Sequence, residues 1–228
     1  MIQTKLPAPV VDYRKLRINN ITSKEYRHLF LLFYWPVYGL LFLFVERFYS
    51  VQNYFEMYCP LDDKIPFCEL FVIPYLFWFI YLVGMLLYTL FYDIKSFEKM
   101  MKFIIITYTI TIIIYLLFPT CQQLRPTVFE RDNILTRFME GFYRFDTNTN
   151  VCPSIHVIGT LAVLFTAMHC ERIRGIGLKL AFIITAILIC ASTVFLKQHS
   201  ILDVIAALPI CLITYLLCFV SRRRNQNE

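Results

Sequence analysis

Apolar residues fall along this chain in six long runs separated by polar stretches. The runs extend from about His28 to Val45, Leu70 to Tyr92, Phe103 to Phe118, Pro153 to Cys170, Leu178 to Leu196 and Ser200 to Val220. Each approaches the ~20 residues a helix needs to cross the ~30 Å hydrocarbon slab. The third run is rich in Ile and Thr, a strand-like composition. A lone strand in lipid would leave its backbone unpaired, so a helix is predicted there too. The predicted fold is all-α, a polytopic membrane protein built as a six-transmembrane-helix bundle. Pro36 is expected to kink the first span. Ser154 suits an N-cap for the fourth, and Pro153 blocks backward extension. From His156 to His169 that helix rises only about 21 Å. Either it continues into Glu171 and Arg172, or its start is sunk below the membrane surface.

The polar stretches divide the chain into a basic arm at residues 1–27, a membrane domain at 28–220 and a basic tail at 221–228. The stretch from Glu46 to Glu69 is acidic, and a short charged loop with Asp93, Lys95, Glu98, Lys99 and Lys102 is expected before the third span. The longest loop, Pro119 to Ser154, contains a mixed-charge segment, Phe129 to Tyr143, predicted to form a short interfacial helix. Both ends and the even-numbered loops carry the basic bias, including Arg172, Arg174 and Arg222 to Arg224. This places both termini in the cytoplasm, in a plasma-membrane topology with the other face turned outward. The first 25 residues lack an apolar core, so no cleavable signal is expected.

Composition sharpens this picture. The 58% hydrophobic content excludes an ordinary soluble domain, and the net charge of +6 sits at the two ends. That distribution fits membrane orientation and not nucleic-acid binding. Cys170, Cys190, Cys211 and Cys218 fall in or beside spans and read as packing residues. Cys59 with Cys68, and Cys121 with Cys152, are expected to pair if the outer compartment is oxidising.

The candidate chemistry lies in three stretches. His199 and Asp203 stand four residues apart, the spacing that stacks two side chains on one helical face. A carboxylate so placed fixes the tautomer of an imidazole and raises the basicity of its free nitrogen. His156 follows Pro153-Ser154 at a helix start, and Arg125-Pro126 lies upstream. The topology brings all three to one membrane face. An arginine and free helix N–H groups after Ser154 suit an anion. His199 would attack phosphorus, and His156 would protonate the leaving alcohol. A zinc site of His156, His199 and Asp203 has usable spacing, but Arg125 would oppose a cation. No metal and no cofactor is therefore expected. A transporter using His and Asp as a proton relay would need ionisable groups through the membrane depth, which spans four to six lack.

These residues resemble the type 2 phosphatidic acid phosphatase superfamily, whose motifs are K-x6-R-P, P-S-G-H and S-R-x5-H-x3-D. Arg125 and Pro126 match the end of the first. Pro153, Ser154 and His156 match the second, and Ser192, His199 and Asp203 match the third at the right spacing. The resemblance covers roughly residues 70 to 220. It implies a six-helix core, no metal, His199 as nucleophile, Asp203 as its partner, His156 as acid/base, and Arg125, Ser154 and Ser192 at the phosphate. Phe118, Ile155 and Thr193 stand where the motifs have Lys, Gly and Arg, so two phosphate-binding cations are missing. Lys197, four residues after Thr193, would lie on the same helical face and return one of them. The expected activity is hydrolysis of a phosphorylated lipid or isoprenoid held in the bilayer. The alternative is transfer of a phosphoryl-headgroup between lipid alcohols, similar to inositolphosphorylceramide and sphingomyelin synthases.

Overall fold

A computed structural model describes residues 8–49 and 51–220. Lys5 and Arg222 to Arg224, read above as basic ends, lie outside the described residues. The elements in chain order are α1 (Tyr34–Arg47), β1 (Phe55–Glu56), α2 (Pro60–Lys64), α3 (Val72–Tyr92), α4 (Ile94–Leu117), β2 (Thr120–Cys121), α5 (Ile134–Phe145), α6 (Ile155–His169), α7 (Ile176–Phe195) and α8 (Ile201–Tyr215). A 3-10 stretch, Arg27–Phe33, leads into α1, and a π turn, Leu216–Val220, ends α8.

The protein is an all-α membrane protein. Five helical segments, Arg27–Arg47, Glu69–Tyr92, Ile94–Leu117, Ile176–Phe195 and Ile201–Val220, are long and apolar enough to cross a bilayer. Their outer faces expose Leu40, Ile73, Ile80, Ile113, Ile187 and Ile213, a surface that only lipid solvates without cost. The sixth run is shorter. Helix α6 has 15 residues, about 22 Å of rise, and it does not continue into Glu171 and Arg172, which form a turn. Its N-cap, Ser154, is fully buried beneath the loops at that end.

Helix α6 packs between α4 and α7 and also touches α3 and α8. Its buried face is mostly small: Gly159, Thr160, Ala162, Val163, Thr166 and Ala167. Small residues let helix backbones approach closely in a membrane. Gly159 is required for this. A Cβ there would lie 2.7 Å from the Tyr108 hydroxyl and 2.9 Å from Trp78 Cζ2. Buried threonines return their hydroxyls to their own helices, as Thr107 does to Phe103 O at 2.8 Å and Thr166 to Ala162 O at 2.7 Å. These bonds give the buried hydroxyls an acceptor where no water is at hand.

The charged loop before the third span shrinks to Asp93, whose carboxylate caps α4 by accepting from Ser96 N at 3.1 Å. Lys95, Glu98, Lys99 and Lys102 therefore sit on the first turns of α4. Pro36 lies just past the junction where the 3-10 stretch Arg27–Phe33 passes into α1. The basic arm folds against the end of α3: Val10 N donates to Phe91 O at 2.8 Å and the Tyr13 hydroxyl to Leu90 O at 2.9 Å.

At the opposite end the long loops knit together. β1 and β2 pair in parallel, Phe55 with Thr120 and Glu56 with Cys121. Thr120 Oγ1 accepts from Val151 N and Cys152 N at 3.1 and 3.0 Å. Cys59, Cys68, Cys121 and Cys152 are all free thiols, so the two expected disulfides are not formed. Cys152 turns towards Asp203 instead, and burial together with that carboxylate pushes its thiol up to about 12.

Candidate active site

The site forms where α6 and α8 begin. Ser154 caps α6, its hydroxyl oxygen facing Val157 N, and its own N–H donates to Asp203 O at 3.1 Å. Ser200 caps α8 in a capping box whose second member is Asp203. Two helix N-termini, each carrying roughly half a positive charge, thus meet at one point.

Asp203 does two jobs. Its Oδ2 accepts from Ser200 N at 3.0 Å and lies 3.0 Å from His199 Nδ1. His199 is not on the helix with Asp203, as the spacing suggested, because α8 starts two residues later. The capping box brings the pair together instead. With Nδ1–H donated to the carboxylate, Nε2 keeps its lone pair free. The His199 and Gln198 N–H groups both donate to Thr193 O at 3.0 Å, which fixes the turn.

His156 stands on the first turn of α6. Its ring packs against Tyr75 at 4.6 Å and Trp78 at 4.5 Å, and it meets the His199 ring edge-on at 5.9 Å. Its Nδ1 has no hydrogen-bond partner among the described residues. Both histidines open into one pocket, walled also by Tyr75, Tyr115, Glu46, Asp146, Asn150 and Gln198.

Arg125 reaches this site but spends itself on it. Nη1 donates to Tyr143 O and Asp146 O at 3.1 and 2.8 Å, and Nη2 to Thr147 O and Gln198 Oε1 at 2.8 and 2.6 Å. The guanidinium lies over the Tyr143 ring at 4.6 Å, and burial lowers its pKa. Its Nε has no hydrogen-bond partner among the described residues.

Lys197 departs from the expected helical face. Helix α7 ends at Phe195, and Lys197 has φ of 52°, so its side chain leaves in another direction. Nζ donates to Asp62 O at 2.6 Å, and burial lowers its pKa while Asp62 and Asp63 oppose that. Ser192 is fully buried and its hydroxyl donates to Ile189 O at 2.6 Å, within its own helix. Among the described residues, no three His, Cys, Asp or Glu side chains are grouped to hold a metal.

The sequence pattern did not point to Asp62, Gln198, Glu46 or Asn150. Asp62 is fully buried, and its carboxylate accepts from Ser200 Oγ at 2.6 Å, Ile201 N at 2.9 Å and Cys59 N at 2.8 Å. Glu46 accepts from Asn150 Nδ2 at 2.9 Å and from the Thr147 hydroxyl. Gln198 had one available signal, its place beside His199.

A family model described as the PAP2 superfamily matches residues 99–227, more than half of the chain. The protein belongs to the PAP2 superfamily, whose activity is phosphatase or phosphotransferase chemistry on lipid-like substrates. Comparison with curated proteins and with solved structures returns no match.

Proposed function

We propose that this protein hydrolyses a phosphorylated lipid or isoprenoid through a phosphohistidine intermediate on His199. The observation that carries this reading is the His199 Nδ1–Asp203 Oδ2 contact of 3.0 Å, with the His156 ring 5.9 Å from that of His199. His199 Nε2 attacks phosphorus, a P–N bond forms, and the P–O bond to the lipid alcohol breaks. His156 gives its proton to the departing oxygen, a form that the negative phosphate beside it favours. His156 then takes a proton from water, which attacks phosphorus and frees His199. Asp203 holds the Nδ1 proton throughout and compensates the charge that develops on the ring. An apolar groove between α6, α7 and α8, lined by Leu164, Ile187, Cys190, Val194, Ile201 and Val204, supports a lipid chain entering from the bilayer.

Transfer to a second lipid alcohol is the alternative, and one observation favours it. The pocket lining includes Glu46 and Asp146, while Arg125 is engaged by backbone carbonyls, by Gln198 Oε1 and, at 3.7 Å, by the Asp146 carboxylate. A diester phosphate carries one negative charge and a monoester nearly two, so the diester is easier to hold here. Of the sequence expectations, six spans, cytoplasmic termini and an outward-facing site in the plasma membrane belong to the same proposal. A reporter fused at the C-terminus that reads as external would overturn that topology. The activity is tested by incubating the purified protein with phosphorylated lipids in EDTA, following both phosphate and new lipid products. His199→Ala should abolish turnover, and His156→Ala should accumulate phosphoenzyme. Full turnover in correctly inserted His199→Ala protein would refute the proposal.

A further inference from the structure

We infer that Gln198 Nε2 is the phosphoryl-oxygen donor of this site and that Arg125 is the positioning residue that presents it. The inference rests on the phosphoryl-transfer reading above and assigns its missing anion contact. The matched motifs lack two cations, Arg125 is turned onto carbonyls, and Lys197 Nζ is bound to Asp62 O. The helix N-termini and Arg125 Nε remain for the phosphoryl oxygens, with room for a further side-chain donor beside them.

Gln198 is 2% exposed and walls the pocket that holds His156 and His199. Its Oε1 accepts from Arg125 Nη2 at 2.6 Å. A guanidinium can only donate, so it fixes which end of the amide faces it. The amide nitrogen must therefore point the other way, and it has no hydrogen-bond partner among the described residues. A buried NH2 group without an acceptor is unfavourable. The backbone under it is pinned by the paired bonds to Thr193 O and by Gln122 Nε2 donating to Lys197 O at 2.9 Å. The amide is thus held before any ligand arrives, as a donor aimed at developing charge must be. The Arg125 charge, felt through Oε1, polarises the amide and strengthens its N–H bonds. A neutral amide adds no second positive charge, which suits a monoanionic diester better than a dianion.

The test compares Gln198→Met and Gln198→Glu with wild type, measuring kcat and KM for the lipid substrate and inhibition by inorganic phosphate. Removing one such donor costs on the order of 10²–10³ in turnover. Gln198→Met, of similar length without a donor, should lose about 10²-fold in kcat/KM and bind phosphate more weakly. Gln198→Glu keeps the Arg125 contact and turns an acceptor towards the phosphate, so its loss should be larger while its Tm is retained. Arg125→Lys should lower kcat/KM less in Gln198→Met than in wild type, the remaining loss coming from the carbonyls it also holds; equal losses in both backgrounds would mean that Arg125 does not act through Gln198. Wild-type kcat/KM and unchanged phosphate inhibition in Gln198→Met would overturn the inference and leave water as the amide's partner. Loss of phosphate inhibition without loss of lipid turnover would also overturn it, since the amide would then bind only free phosphate. The His199→Ala control separates the two claims: residual turnover there refutes the phosphohistidine reading whatever Gln198 does.

Discussion

Asp62 should control both stability and turnover although it touches neither histidine. It is fully buried on α2, between α1 and α3, and its carboxylate accepts from Ser200 Oγ, Ile201 N and Cys59 N. Asp62→Ala leaves three donors without their acceptor. Each orphaned donor costs about 1–3 kcal/mol, and rewetting of Cys59 N leaves two of them, a sum of roughly 2–6 kcal/mol. For a chain of this size that is a Tm loss on the order of 10 °C. The effect on turnover follows from connectivity. Ser200, which Asp62 holds at 2.6 Å, is the residue after His199 and the N-cap of α8. A shift of about 1 Å at a nucleophile costs roughly 10²-fold. Asp62→Asn keeps one acceptor oxygen but turns a donor against another donor, and should fall between Ala and wild type at about 1–3 kcal/mol. The assay is thermal unfolding in detergent alongside kcat and KM. The loss should appear in kcat more than in KM, because the phosphate contacts are not removed. Wild-type Tm and kcat in Asp62→Ala would refute the reasoning.

Gly159→Ala should displace the Trp78 ring, which lies 2.9 Å from the added Cβ and packs against His156. Overpacking costs about 1–3 kcal/mol, and unchanged Tm and turnover would refute it. Burial raises the Asp146 carboxyl above its ordinary 3.8, against the lowering by Arg125. Its stabilising share is then complete below that ordinary value and is lost as pH rises through the raised one. Asp146→Asn should therefore gain on wild type in Tm near neutral pH, with the difference closing on acidification. An equal difference at both pH values would refute this. Mass spectrometry of unreduced protein should find Cys59, Cys68, Cys121 and Cys152 as thiols, with Cys152 alkylated only after unfolding because burial and Asp203 suppress its thiolate. A Cys59–Cys68 or Cys121–Cys152 linked peptide would refute it.

The features legible in the sequence are those with a short-range physical cause. Apolar run length marked the helices, because lipid demands about 20 residues of satisfied backbone. Ser154 after Pro153 marked the start of α6, because caps act within one turn. The meeting of His199 with Asp203 was readable for the same reason, although the geometry that joins them is a cap and not a helical face. What the sequence left open depends on contacts between residues far apart in the chain. Nothing near Lys197 says that it leaves α7 with φ of 52° and reaches Asp62. Nor does Arg125-Pro126 indicate that its guanidinium will be taken up by carbonyls at Tyr143, Asp146 and Thr147. The sequence by itself determined a helical membrane protein with a His-His-Asp set. Only the tertiary structure decided which cations remain for a ligand and which buried groups hold the set in place, because a hydrogen bond between distant segments depends on where packing leaves each end.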